Sequence, residues 1–327
     1  MLLALVLLFS ACQNSPSKYI YNEGFVYGTI YHIVYESPDG KDIQDEINEK
    51  LDEYNLIFST YAEESDISKI NNNEEVEPDP LFIQCFDRSM EIAETTNGAF
   101  DITAGPMVNA WGFGPEERSK MTSEKIDSLK QITGYKKVKL KNNLIVKDYP
   151  EMKLDMSAVA KGFTSDLIGN LLKEKGCKNY MVEIGGEVVT LGKNEKGHVW
   201  TIGISKPDDN AFFAQNDIQA KVELPDNALA TSGNYRNFYV EDGKKYAHTI
   251  NPKTGYPVEH SLLSATVIAN DCLTADAFAT AFMVLGIEES KRLSERLSGL
   301  EVYFIYAKEN GSNEIYMSDG FEAYLKK

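Results

Sequence analysis

The first readable pattern in the chain is an alternation. In FVYGTIYHIVYE (Phe25 to Glu36) β-branched and aromatic residues recur at every second position, which predicts a strand. The SPSKYIYNEG before it reads as a tether and leading loop. The period then changes. DIQDEINEKLDEYNLIF carries apolar residues at helical spacing, and PLFIQCFDRSMEIAETTNG predicts a second helix, opened by Pro80 and stopped by Gly98. TSEKIDSLKQIT predicts a shorter helix capped by Ser123 or Thr122, and YKKVKLKNNLIVKD a hairpin turning at Asn142-Asn143. A further helix follows DMSAVAKG. NYMVEIG, EVVTLG and HVWTIGIS read as strands, and ALATSG to SATVIAN as mostly strands and turns. LTADAFATAFMVLG and IEESKRLSERLSG are predicted helices, and LEVYFIYAK with NEIYMSDG a closing hairpin. Strands and helices without regular βαβ alternation, and without an internal repeat, predict an α+β fold.

The N-terminus adds a targeting signal. MLLALVLLFSAC is apolar, too short to span a bilayer, and ends in small residues before Cys12. It resembles a lipoprotein signal, with residues 1–11 removed, Cys12 lipidated, 12–22 as the tether and 23–327 as the folded unit. That organisation places the protein outside the cytoplasm, held to a bacterial membrane by its lipid and facing the periplasm. Cys85, Cys177 and Cys272 form no CxxC and are odd in number, so they read as buried thiols, with one bridged pair left open.

Charge narrows the partners. The formal net charge is −17 and no basic run occurs, which argues against nucleic acid. An acidic protein that takes an anionic ligand needs a local correction, such as a metal ion or one well-placed lysine. The chain offers both. Asp276 and Thr280 lie four apart among apolar residues of one helix, so their oxygens share a face and suit Mg²⁺ or Ca²⁺ rather than zinc. On that helix alone, a first-turn Asp and a Thr bonded back to a carbonyl explain the pair better. DMSAVAKG brings a carboxylate (Asp155), a hydroxyl (Ser157) and an ammonium (Lys161) to a helix mouth. TTNGAFDITAGPMVNAWGFGP is broken by four glycines and two prolines, yet holds Phe100, Trp111 and Phe113. It fits a loop wrapped on a flat ligand, or equally an Ω-loop packed on its own side chains. FSTYAEESDISKINN offers Tyr61 as a flat surface and Ser65 as a helix cap. The Gly pair in YMVEIGGEV admits close approach of a ligand or backbone. His248, beside the Pro-Lys-Thr-Gly turn, is a better catalytic candidate than His260.

In order along the chain, FSTYAEESDISKIN, TNGAFDITAGPMVNAWGFG, LDMSAVAKGFTSD, VEIGGEVVTLG, ATSGNYRNF, HTINPKTGYP and TADAFATA resemble the ApbE family of FAD:protein FMN transferases. The resemblance runs from about Tyr27 to the last hairpin. It implies one compact α+β unit related to the T-fold, with its site in a cleft between two halves. It implies cleavage of FAD with Mg²⁺, release of AMP, and transfer of FMN through a phosphoester to a Thr of an acceptor flavoprotein, such as an exported or membrane redox-complex subunit. It also implies roles. Tyr27, Tyr61, Ala99, Phe100, Asp101, Asp155, Lys161 and Ile250 would meet FAD, with Tyr27 where members often carry Met. The Ala158 carbonyl, Asp276 and Thr280 would ligate the metal, which favours the ligand reading of that helix. His248 would assist removal of the acceptor's proton, with Asp155 next in line. Two other readings share these residues: an FAD pyrophosphatase using water in place of Thr, and a non-enzymatic flavin-binding lipoprotein. The second would require a defective metal helix.

Overall fold

A computed structural model of the chain describes residues 18–207, 218–234, 238–241 and 243–326. The predicted signal and Cys12 lie outside the described residues.

The chain opens on a hairpin, β1 (Lys18–Val26) and β2 (Thr29–Ser37). Two expectations are corrected here. The segment read as one strand is two, and residues 18–22, read as the end of the tether, pair with β2. The alternation hid the turn. Tyr27 and Gly28 are two residues with φ of 52° and 75°, the left-handed pair that a two-residue hairpin turn needs, and Tyr is a poor signal for it. Helices α1 (Gln44–Phe58), α2 (Asp66–Asn71), α3 (Pro80–Thr95), α4 (Gly105–Ala110) and α5 (Ser123–Gln131) follow. Thr122 caps α5 by accepting from the Lys125 N–H, and Ser65 caps α2 by accepting from Ser68. β3 (Val138–Lys141) and β4 (Leu144–Lys147) turn at Asn142-Asn143 as predicted, both with positive φ.

Then come α6 (Ala160–Glu174), β5 (Tyr180–Ile184), β6 (Glu187–Leu191), the hairpin of β7 (Trp200–Ser205) and β8 (Ile218–Leu224), β9 (Ala228–Gly233), the short hairpin of β10 (Phe238–Glu241) and β11 (Lys244–Ala247), and β12 (Leu262–Ala269). The chain closes with α7 (Cys272–Leu285), α8 (Ile287–Ser294), β13 (Glu301–Ala307) and β14 (Asn313–Met317). Eight strands form one antiparallel sheet in the order β1-β2-β5-β6-β9-β12-β13-β14. The architecture is α+β.

Strand alternation divides the core. Val302 and Phe304 of β13 face the helices, whereas Tyr303 and Ile305 face a smaller cluster under the β7–β8 hairpin and Phe321. The larger cluster packs α1, α3, α6 and α7 onto the sheet. α7 is apolar almost all round because it is sandwiched between the sheet, α6 and α3. Cys85, Cys177 and Cys272 are buried free thiols. Among the described residues no helix is long and apolar enough to cross a membrane.

Candidate functional site

The two halves of the site come from α6 and α7, and a glycine sets their distance. A Cβ on Gly162 would lie 2.8 Å from Asp276 Cβ and would also collide with the Cys272 carbonyl. Only glycine lets the first turn of α6 press on α7 this closely. The Gly162 N–H then donates to Asp276 Oδ2 at 3.2 Å. Thr280, one turn on, meets Ser232 of β9 through their hydroxyls at 3.3 Å. The first-turn explanation of Asp276 therefore fails: α7 starts at Cys272 and has no acidic residue in its first turn, while Asp271 caps it, accepting from the Thr274 N–H, and Asp166 accepts from the N–H groups of Cys272 and Leu273.

Lys161 stands in the first turn of α6, where the helix dipole opposes a cation. Two carboxylates hold it there. Its Nζ lies 3.0 Å from Glu187 Oε1 and 3.9 Å from Asp276 Oδ2. Burial alone would lower the lysine pKa, but Asp276 and Glu187 raise it above the ordinary value. Burial pushes both carboxyls up, against the pull of the same ammonium. Glu187 Oε2 is buried with no hydrogen-bond partner.

Two adjoining cavities meet at this cluster. One, of about 390 Å³, is walled by Ala99, Phe100, Asp101, Asp155, Ala158, Lys161, Glu187, Ser232, His248, Ile250, Asp276 and Thr280. The other, of about 570 Å³, is walled by Tyr27, Gly28, Phe58, Tyr61, Asp155, Ser157 and Lys161. Asp155, Ser157 and Lys161 line both. The two cavities together hold every predicted site residue that falls within the described part of the chain. Asp155 is fixed from three sides. Its N–H donates to the Ile102 carbonyl (2.7 Å), its Oδ1 accepts from the Ser157 N–H (2.8 Å), and Asn71 grips the adjacent Leu154 backbone.

The glycine-rich loop answers to both of its readings. Phe100 is buried in the main core, and Trp111 is buried with its indole N–H on the Gly255 carbonyl. The Asp101 carboxylate is used by the fold, accepting from Thr103 within the loop and from the Tyr135 N–H ahead of β3. Phe100 still lines the cavity, and so does Phe113, whose ring meets half-buried His248 edge-on at 6.3 Å between centroids. Tyr61 is different: it is 72 % exposed, a ring free to take a flat ligand. Gly185 and Gly186 form the two-residue turn of the β5–β6 hairpin, both with positive φ.

Sequence reasoning missed Glu187 and Ser232. Both lie inside motifs already singled out. The signal for Glu187 was a carboxylate opening an otherwise apolar central strand, directly after the Gly pair.

The donors fit a hard cation. A carboxylate, a hydroxyl and a main-chain carbonyl are oxygens without sulfur or imidazole. Among the described residues no group of three or more His, Cys, Asp or Glu makes a metal cage. A cation here would leave coordination positions to substrate and water, as Mg²⁺ prefers.

The same arrangement has relatives. The ApbE family model matches residues 27–304. The FAD:protein FMN transferase of Vibrio cholerae serotype O1 is 37 % identical, covering 99 % of this chain and 98 % of its own length. That of Escherichia coli strain K12 is 36 % identical, covering 99 % of this chain and 96 % of its own. Among solved structures, the flavin transferase ApbE from Vibrio cholerae superposes with a TM-score of 0.84 at 35 % identity, over 95 % of this chain and all of that one. The ApbE protein from Thermotoga maritima gives 0.83 at 30 % identity, over 95 % of this chain and all of that one.

Proposed function

Since this chain belongs to the ApbE family, and is thereby an enzyme of flavin transfer, we propose that it moves FMN from FAD to a Thr side chain of an acceptor flavoprotein, releasing AMP. The acceptor Oγ forms a bond to the phosphorus on the riboflavin side. The bond from that phosphorus to the bridging oxygen breaks, and AMP leaves with that oxygen. The observation that carries the reading is the shared cavity wall. Asp155, Ala158, Lys161, His248, Asp276 and Thr280 come from three separate stretches of sequence to one cavity of about 390 Å³, beside a second with an exposed aromatic ring.

Each residue has a part in this reading. Tyr27 and Tyr61 would flank the flavin, with Asp155 at the neck between the cavities. The backbone from Ala99 to Asp101 and the Ile250 side chain would bound the adenosine part. Lys161 supplies a positive charge to the pyrophosphate, offsetting the acidic whole. Ala158, Asp276 and Thr280 would hold Mg²⁺, which when bound neutralises charge on the phosphate oxygens. His248 would accept the Thr proton. Such a transfer depends chiefly on positioning and charge neutralisation. Export and a lipid anchor on Cys12 belong to the same reading; Cys12→Ser should release the protein from membranes and leave transfer intact.

The test is purified protein with FAD, Mg²⁺ and a candidate acceptor. Flavin fluorescence on the acceptor band supports transfer. Free FMN with an unlabelled acceptor means a pyrophosphatase instead.

A further inference from the structure

We propose that Glu187 is a positioning residue: it parks the Lys161 ammonium so that Asp276 stays open to a cation. The inference rests on the metal reading of Asp276 above.

The geometry is asymmetric. Lys161 could pair with either carboxylate, yet its Nζ is hydrogen-bonded to Glu187 at 3.0 Å and stands off from Asp276 at 3.9 Å. Both carboxylates are deeply buried, with side-chain exposures of 5 % for Glu187 and 3 % for Asp276, whereas Lys161 keeps 28 %. A long flexible ammonium in the unfavourable first turn of a helix goes to the nearest negative charge. Without Glu187, that charge is Asp276. An ammonium seated on Asp276 would occupy the oxygen a cation needs, and would repel the cation at close range.

Glu187 is built to prevent this. It is the first residue of β6, immediately after the two-glycine turn, so its backbone is fixed by a tight hairpin. Its carbonyl accepts from Ser165 Oγ of α6 at 3.3 Å, tying it to the helix that carries Lys161. Val188 points to the opposite face of the sheet, so Glu187 points at the helices. Its Oε2 is buried without a hydrogen-bond partner, so Lys161 is the side chain this carboxylate engages, through Oε1.

The experiment is Mn²⁺ binding to the full chain without FAD, read by electron paramagnetic resonance of the free ion, with thermal melting to verify folding. Glu187→Gln should weaken Mn²⁺ by about 10- to 100-fold, the usual cost of losing a partner that orients a metal site. Glu187→Asp keeps the charge but shortens the arm by a methylene, so it should also weaken Mn²⁺. Wild-type affinity in Glu187→Asp would overturn the proposal, leaving only a through-space charge effect. Adding Lys161→Met to Glu187→Gln should restore binding, because nothing is left to close on Asp276; a double variant that stays weak also overturns it. Asp276→Ala is the separate control. If that variant binds Mn²⁺ as tightly as wild type, the metal reading fails, whatever Glu187 does.

Discussion

Asp166 and Asp276 bracket the first turns of α7, and both carboxyls are pushed up by burial. Their surroundings differ in one respect. Asp166 is saturated. It accepts from the Cys272 N–H with both oxygens (2.8 and 3.0 Å) and from the Leu273 N–H (2.9 Å), so it finishes the helix N-terminus. Asp276 has one N–H at 3.2 Å and an ammonium held at 3.9 Å by another residue. Saturation marks a carboxylate that serves the fold. A buried carboxylate left short of partners, on a cavity wall, is one that waits for a ligand.

The largest expected effect tests the under-partnered side. Asp276→Asn keeps the shape and the acceptor for Gly162 but removes the charge. Transfer should fall by about 10³-fold or more, since a metal supplies several kcal/mol at about 1.36 kcal/mol per tenfold in rate. The melting temperature should hold or rise, because a buried charge is gone. Large destabilisation with normal turnover of the folded fraction would make Asp276 a second Asp166.

His248→Ala probes the same cavity without touching its charge cluster. Transfer should drop by about 10²- to 10⁴-fold, the range for a general base. FAD affinity should barely change, and the deficit should shrink as pH rises and the medium takes over the proton. Rate, FAD affinity and melting measured on one preparation decide it. A folded, FAD-binding variant with wild-type transfer removes His248 from the chemistry and makes Asp155 the next base to test.

Much of this was legible in the sequence because it rests on local rules. The 3.6 period and a proline or hydroxyl at the start gave α3 and α5, and Asn-Asn gave the β3–β4 turn. The residues that resemble a known family were legible as motifs, although composition and spacing alone would have left Asp276 as a first-turn residue favoured by the helix dipole. What escaped depends on contacts between distant segments. The β1–β2 turn was hidden by unbroken alternation across Tyr27. Phe100 and Trp111 looked like stacking rings, but the core claims them. Glu187 lies 26 residues from Lys161, and only the placement of β6 against α6 joins them. Gly162 reads in sequence as a weak spot in a helix, and its reason is on α7.

Gly162→Ala should therefore act on both sides of the comparison at once. The added methyl has no room between α6 and α7, and overpacking of this kind costs about 1–3 kcal/mol. The helices must separate, carrying Lys161 and the Gly162 N–H away from Asp276. Stability and transfer should fall together, measured by denaturant melts and by the fluorescence assay. Full activity in a stable variant would mean that the close approach of the two helices is not needed.

The smallest effect belongs to the saturated carboxylate. Asp166→Asn should leave transfer of the folded protein unchanged while lowering stability by about 1–2 kcal/mol at pH 5, because an NH₂ replaces one acceptor facing the helix N–H groups. The pH dependence gives the sharper test. Burial raises the Asp166 carboxyl to about 7, although the Cys272 and Leu273 N–H groups pull against it. An unfolded Asp titrates near about 3.9. The folded state thus binds the extra proton between these values. The stabilising contribution is present in full below the unfolded value and is lost as pH rises through the folded one. Asn does not titrate, so the stability gap between wild type and Asp166→Asn should narrow from pH 5 to pH 8. Unfolding midpoints at those two pH values check it. A gap that widens with pH would mean that the N–H groups outweigh burial and hold Asp166 ionised. Its difference from Asp276 would then be one of charge as well as of hydrogen-bond saturation.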